Sequence, residues 1–340
     1  MPRLRLCLVL CAALGLAASV GCGDAPRGNP LDPLADGFRD EGGISGRVTG
    51  LYPPFPGRPG VQVRLIPVGP AGRPELSTRT DGEGRFALSD VPAGLYAVEA
   101  DEEGFASAAD TVSVEVGVVA EAMIQLNALP VVTEQSLRSV HILRWPPLEP
   151  VFQLEVEATA EDPDRPQDLA GASLVVPGLD FSAELVETEP GTGVFAATLD
   201  ERELPAPGVE TLLGQTVRIE ARDVSGNAGL GPPQSLVRVI EQSPQTVSPQ
   251  LLETVDTPTP TLVWQPAQLP FAFTYRVDVF VVNAAGIPQL VDRYEDIDPN
   301  QTSLQVEEEL ASGEDHFWTV WVVDAFGNRS RSREAGFTVQ

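Results

Sequence analysis

The chain has 340 residues, 42% of them hydrophobic, and a formal net charge of −27. It is too long for one typical domain and apolar enough to build packed cores. Its charge repels nucleic acid and anionic headgroups, and its 31 Gly and 32 Pro argue against long amphipathic helices and for short strands joined by tight turns.

The first 22 residues read as an address. Arg3 and Arg5 give a positive start, and Leu6 to Val20 is an apolar run too short to span a bilayer comfortably. Ser19-Val20-Gly21-Cys22 then resembles the bacterial lipobox, with Ser19 where Leu is usual. The resemblance implies a signal peptide over 1–21 and an acylated Cys22 that anchors the chain to a membrane. An ordinary secretory signal cut near Ala18 or Gly21 is the alternative. Gly23, after the anchor, points to the outer rather than the inner membrane of the cell envelope. Residues 22–43, rich in Gly, Pro and Asp, are expected to form the lipidated Cys and a flexible tether. Cys7, Cys11 and Cys22 are the only cysteines, so the domains that follow must hold by packing alone.

Residues 44–127 show period-two patterning. Val61, Val63 and Leu65 alternate with polar partners, as do Tyr96, Val98, Ala100 and then Val112, Val114, Val116. Between them, Thr80-Asp81-Gly82-Glu83-Gly84-Arg85-Phe86 carries the Gly positions of a tight hairpin, and Val91-Pro92-Ala93-Gly94-Leu95-Tyr96 turns into a strand. TDGEGRF followed by VPAGLY resembles the carboxypeptidase regulatory-like domain. That resemblance implies a seven-stranded sandwich akin to transthyretin and a loose kinship with carbohydrate-binding folds. It does not imply peptidase activity, since in that family the module is an appendage to the enzyme. A phosphate cradle at Gly82, Gly84 and Gly94 is rejected because no helix pattern follows.

Residues 130–243 carry Phe152, Leu154, Val156, Ala158, then Phe181, Ala183, Leu185, then Val217, Ile219, Ala221, Asp223. Regular strands at this spacing suggest an immunoglobulin-like sandwich. The acidic loop after the Phe152 strand holds Asp162, Asp164 and Asp168. Carboxylates suit a hard cation such as calcium, but the spacing is not that of an EF-hand. A solvated acidic turn is the favoured reading, with no metal and no cofactor required.

Residues 250–340 open on Pro258 to Trp264, continue with Tyr275, Val277, Val279, Val281 and close on His316-Phe317-Trp318-Thr319-Val320-Trp321-Val322 and Phe337-Thr338-Val339. This segment resembles a fibronectin type III domain, with Trp264 as the early core Trp and His316 where Tyr is usual. The period of two places Phe280, Phe317 and Trp321 opposite the core face, either as a docking patch for protein or sugar or packed against the preceding domain. Asp223-Val224-Ser225-Gly226-Asn227 and Asp324-Ala325-Phe326-Gly327-Asn328 share D-x-x-G-N, read as turn chemistry in two related sandwiches.

No catalytic constellation is evident. The two histidines, His141 and His316, fall in different segments, and H-E-x-x-H, G-x-S-x-G and C-x-x-C are absent. The expectation is an all-β chain of tandem β-sandwich domains behind a lipoprotein signal peptide. It is read as a non-enzymatic, acidic cell-envelope lipoprotein for binding, adhesion or spacing, with an unidentified protein or glycan ligand. The alternative is a carbohydrate-binding lipoprotein that presents glycan to a partner enzyme.

Overall fold

The computed structural model describes residues 32, 34, 35, 37–69, 74–145 and 148–340. The signal segment, Cys22 and the tether up to residue 31 lie outside the described residues. Among the described residues there is no α-helix, only strands and three short 3-10 turns, so the chain is all-β. It divides into two compact units, Met1–Ala128 and Leu129–Gln340.

The described residues of the first unit form seven strands: β1 (Glu41–Gly50), β2 (Gln62–Pro67), β3 (Leu76–Arg79), β4 (Arg85–Pro92), β5 (Gly94–Asp101), β6 (Ala108–Val114) and β7 (Val119–Leu126). They pair into a sheet β4-β1-β7 and a sheet β3-β2-β5-β6. The alternating apolar residues face one another between the sheets: Val63, Leu65, Tyr96, Val98 and Ala100 are fully buried against Ile44, Val48, Phe86 and Ile124. Each of the Val, Leu, Ile and Phe side chains contributes roughly 1.5–3 kcal/mol by leaving water.

The TDGEGRF segment forms a tight turn, but not a hairpin. Asp81 Oδ1 accepts the N–H groups of Glu83 (2.9 Å) and Arg85 (2.8 Å), and Gly84 takes φ +78°. The flanking strands β3 and β4 belong to different sheets, so the turn crosses the sandwich instead of closing a ribbon. A Cβ at Gly84 would lie 2.4 Å from the Val48 carbonyl oxygen, which fixes glycine there.

The second unit contains two cores. Strands β8 (Val131–Ile142), β9 (Val151–Glu161), β10 (Leu169–Val176), β11 (Phe181–Glu187), β12 (Val194–Asp200), β13 (Arg218–Asp223) and β14 (Ala228–Leu230) hydrogen-bond in the order β14-β13-β10-β11-β12-β9-β8. They enclose Leu154, Val156, Leu174, Leu212 and Ile219. The other core lies among β15 (Thr246–Ser248), β16 (Glu253–Val255), β17 (Thr261–Trp264), β18 (Phe273–Val282), β19 (Pro288–Ile297), β20 (Ser303–Gln305), β21 (Asp315–Asp324), β22 (Arg329–Arg331) and β23 (Ala335–Val339). Trp264, Tyr275, Trp318 and Phe337 fill it, together with Ile240 from the connecting segment. His316 sits in this core with Trp318, Val320 and Val322; its Nδ1 lies 3.0 Å from the Glu314 carbonyl and its ring stacks on Phe337.

The two cores share a sheet. Three-residue β22 pairs antiparallel with β21 on one side and parallel with β8 on the other, in the register Arg329↔Val140, Ser330↔His141, Arg331↔Ile142. The hydrogen-bonded path therefore runs unbroken from one sandwich into the next.

Candidate functional site

The two D-x-x-G-N turns have the same bonding. Asp223 Oδ1 accepts the Asn227 N–H at 2.8 Å and Oδ2 the Asn227 side-chain amide at 2.9 Å; Asp324 does the same for Asn328 at 2.9 and 3.1 Å. Gly226 and Gly327 take φ +88° and +81°. These carboxylates are occupied by their own turns, as the turn reading requires.

The second turn also serves the joint between the sandwiches. Asn328 Oδ1 accepts the backbone N–H of Ser139 on β8 at 2.9 Å, and Asp324 Oδ2 pairs with Arg238 at 3.0 Å. Beside them, His141 Nδ1 lies 3.0 Å from Ser330 Oγ and 3.3 Å from Ser243 Oγ, and its ring stacks on Phe152 at 4.2 Å. Burial pushes the His141 pKa below its ordinary value, against the raising effect of the Ile240 backbone and the Glu241 charge. His141 and Ser330 are both buried, so this His–Ser contact offers no surface to a substrate.

The aromatic face of β18 and β21 differs from the docking patch considered from the pattern. Trp321 does point away from Trp318 and the core, as a period of two demands, but it is buried at 7% exposure. Its indole N–H donates to Asp278 Oδ2 at 2.9 Å, and the guanidinium of Arg276 lies 4.6 Å from its ring. Arg329 and Arg331, brought in by β22, lie 5.5 and 5.8 Å from the same ring. Arg329 in turn pairs with Glu155 on β9. The physical reason is the shared sheet: β22 and its arginines cover the outer face of β21 where it meets the other sandwich. Asp278, 2% exposed, also binds Arg276 (3.0 Å) and Arg293 (2.7 Å). Phe280 and Phe317 are half-buried and stack on each other at 4.7 Å.

The loop from β9 to β10 brings Asp162, Asp164 and Asp168 together, with one carboxylate oxygen of each within 4.8 Å of the others. Asp162 and Asp168 are 5% and 1% exposed, and Asp164 is half-buried. Asp162 Oδ1 accepts the Asp164 N–H (2.9 Å), and Arg165 Nε donates to Asp168 Oδ1 (2.8 Å). Burial raises the Asp162 carboxyl pKa, and the neighbouring Asp164 and Asp168 charges add to this against the backbone N–H of Asp164. Pattern reasoning placed these residues in one loop but missed that two of them are buried.

In the first unit, a groove of about 780 Å³ lies on the outer face of β4-β1-β7, lined by residues such as Gly43, Ser45, Ala87 and Val119. Its charged groups pair only loosely, Arg39 lying 3.8 Å from Glu41 and from Asp90.

The carboxypeptidase regulatory-like domain family matches residues 43–127. No curated protein matches the chain. Among solved structures, the chain is similar to BcpA, the major pilin subunit of Bacillus cereus, at 12% identity over 85% of this chain and 91% of that one, with a TM-score of 0.29. It is also similar to the major pilin SpaD of Corynebacterium diphtheriae at 9% identity, over 88% and 97%, with a TM-score of 0.30. A third likeness is to the fibronectin(III)-like modules of Clostridium thermocellum CbhA at 10% identity, over 62% and 93%, with a TM-score of 0.29. With scores this low, the fold class of residues 129–340 rests on the strand pairings above. Seven strands in two facing sheets, the crossing turn at Gly84 and the family match together make residues 43–127 a carboxypeptidase regulatory-like domain.

Proposed function

We propose that this protein is a non-catalytic module of the bacterial cell envelope, tethered through an acylated Cys22, whose β-sandwiches bind, adhere or space. The outer membrane is the proposed site of the anchor. The observation that carries the reading is the sheet shared across β8 and β22, which joins two sandwiches into one body suited to holding a surface at a distance. The burial of the His141–Ser330 contact supports a non-enzymatic role, because it leaves that pair no path to a substrate. The alternative, capture of carbohydrate for a partner enzyme, loses the Trp321 ring on which an aromatic platform would have rested.

The test uses cells that express the full chain with a C-terminal tag, fed an alkyne fatty acid. The wild type should carry the label and stay with outer-membrane fractions, and Cys22→Ser should lose the label and be released. A labelled Cys22→Ser variant, or an unlabelled wild type, would overturn the anchor.

A further inference from the structure

We propose that Asp162, Asp164 and Asp168 form a calcium site at the β9–β10 crossover. Three independent features lead there. The first is an unpartnered oxygen: Asp162 is 95% buried, its Oδ1 is engaged by the Asp164 N–H, and its Oδ2 is buried with no hydrogen-bond partner. A carboxylate removed from water without a partner costs several kcal/mol, so buried charges are paired or bind a cation.

The second is charge. The three carboxylates have Arg165 as the cation drawn among them, through Asp168 Oδ1. A divalent ion would offset the mutual repulsion of the three gathered carboxylates. The third is size and donor chemistry. The donor set is oxygen only, which selects hard cations over zinc or copper. Calcium binds oxygens at roughly 2.3–2.6 Å, so ligands on opposite sides of the ion stand about 5 Å apart. The oxygens here lie within 4.8 Å of one another, inside that span. Magnesium, at roughly 2.0–2.1 Å, would need the loop to contract and keeps most of its own water. Solvent completes the calcium shell through the half-exposed side at Asp164.

The site would also have a structural effect. The backbone oxygen of Asp168 accepts the N–H of Val224 at 2.8 Å, so an ion held by Asp168 ties the β9–β10 crossover to the β13–β14 turn. That end of the sandwich would stiffen on binding.

The proposal stands apart from the envelope reading. Calcium titration by calorimetry on the calcium-stripped full chain in detergent tests it, with a thermal melt at each calcium concentration. One-site binding is expected between micromolar and millimolar calcium, with a rise in Tm. Asp162→Asn keeps the shape of the side chain and should weaken binding by about tenfold or more. Asp164→Asn, at the half-buried member, should do likewise and guards against a folding defect at Asp162. Absence of heat and of any Tm shift at about 10 mM calcium would overturn the site. Equal binding by both variants would also overturn it, as diffuse attraction to an acidic chain. Magnesium binding more tightly than calcium would overturn the choice of ion.

Discussion

Asn328 Oδ1 accepts the backbone N–H of Ser139, although 189 residues separate the two in sequence. Both are 1% exposed. The Asn belongs to a turn of one sandwich and the Ser to a strand of the other, so a residue needed for local turn geometry also holds the two sandwiches together. Asn328→Ala would strand the buried Ser139 N–H and remove the side-chain amide bond to Asp324, a loss of about 2–4 kcal/mol. Asn227→Ala, at the corresponding half-exposed place in the other turn, should cost only about 1 kcal/mol. Urea midpoints of the two variants check the difference.

His141 gives the joint a pH dependence. Its folded pKa is lowered from 6.5 by burial, so the folded state binds fewer protons than the unfolded state. The stabilisation is complete above pH 6.5 and is lost as pH falls from there through the depressed folded value. Urea midpoints of the wild type should therefore drop on acidification below 6.5, ahead of the carboxylate range. His141→Gln should be less stable throughout, yet lack that step. An identical step in the variant would assign the dependence to another group.

Trp321 is expected to behave as an interior residue. Trp321→Ala should destabilise residues 129–340 by about 3–5 kcal/mol, the range for large aromatics deleted from packed sites. Asp278→Ala should cost a similar amount, because Arg276, Arg293 and the indole N–H all lose a buried acceptor. Chemical denaturation followed by Trp fluorescence measures both. A near-neutral Trp321→Ala would return that side chain to the surface patch.

Gly84 should not tolerate a side chain. Gly84→Ala combines φ +78° with a Cβ 2.4 Å from the Val48 carbonyl oxygen, and should cost more than about 2 kcal/mol. Gly226→Ala has φ +88° but no atom within 4 Å of the added methyl, so only the conformational cost of about 1 kcal/mol remains. Thermal melts of the two variants separate steric from backbone effects.

The strands themselves were legible, since Val63, Leu65, Tyr96, Val98 and Ala100 alternate inward as a half-buried strand must. What joins them was less so. Asp81, Gly82 and Gly84 announce a tight turn, but turn chemistry acts over four residues and carries no information about which sheet the next strand enters. The Arg329–Arg331 strand was invisible for a similar reason. Arg-Ser-Arg has no apolar period, and its pairing with Val140–Ile142 is a contact across the whole second unit. That hidden strand is also why Trp321 was readable as facing away from the core but not as covered. Asp278 between Val277 and Val279 was the available clue, since a lone acid in an apolar strand points to a buried ion pair. In the acidic loop the residue types were readable, whereas the burial of Asp162 and Asp168 depends on strands that close around them.

The pairing of β22 with β8 also bears on how such a chain can change over generations. Modules that meet only through a linker can be copied, lost or reordered one at a time. Here one module lends a strand to the other, and Asn328 and Ser330 have their partners Ser139 and His141 on the far side of the boundary. Moving either sandwich alone would leave an open strand edge on one fragment and unmatched polar groups on both. Residues 129–340 should therefore be inherited as a pair.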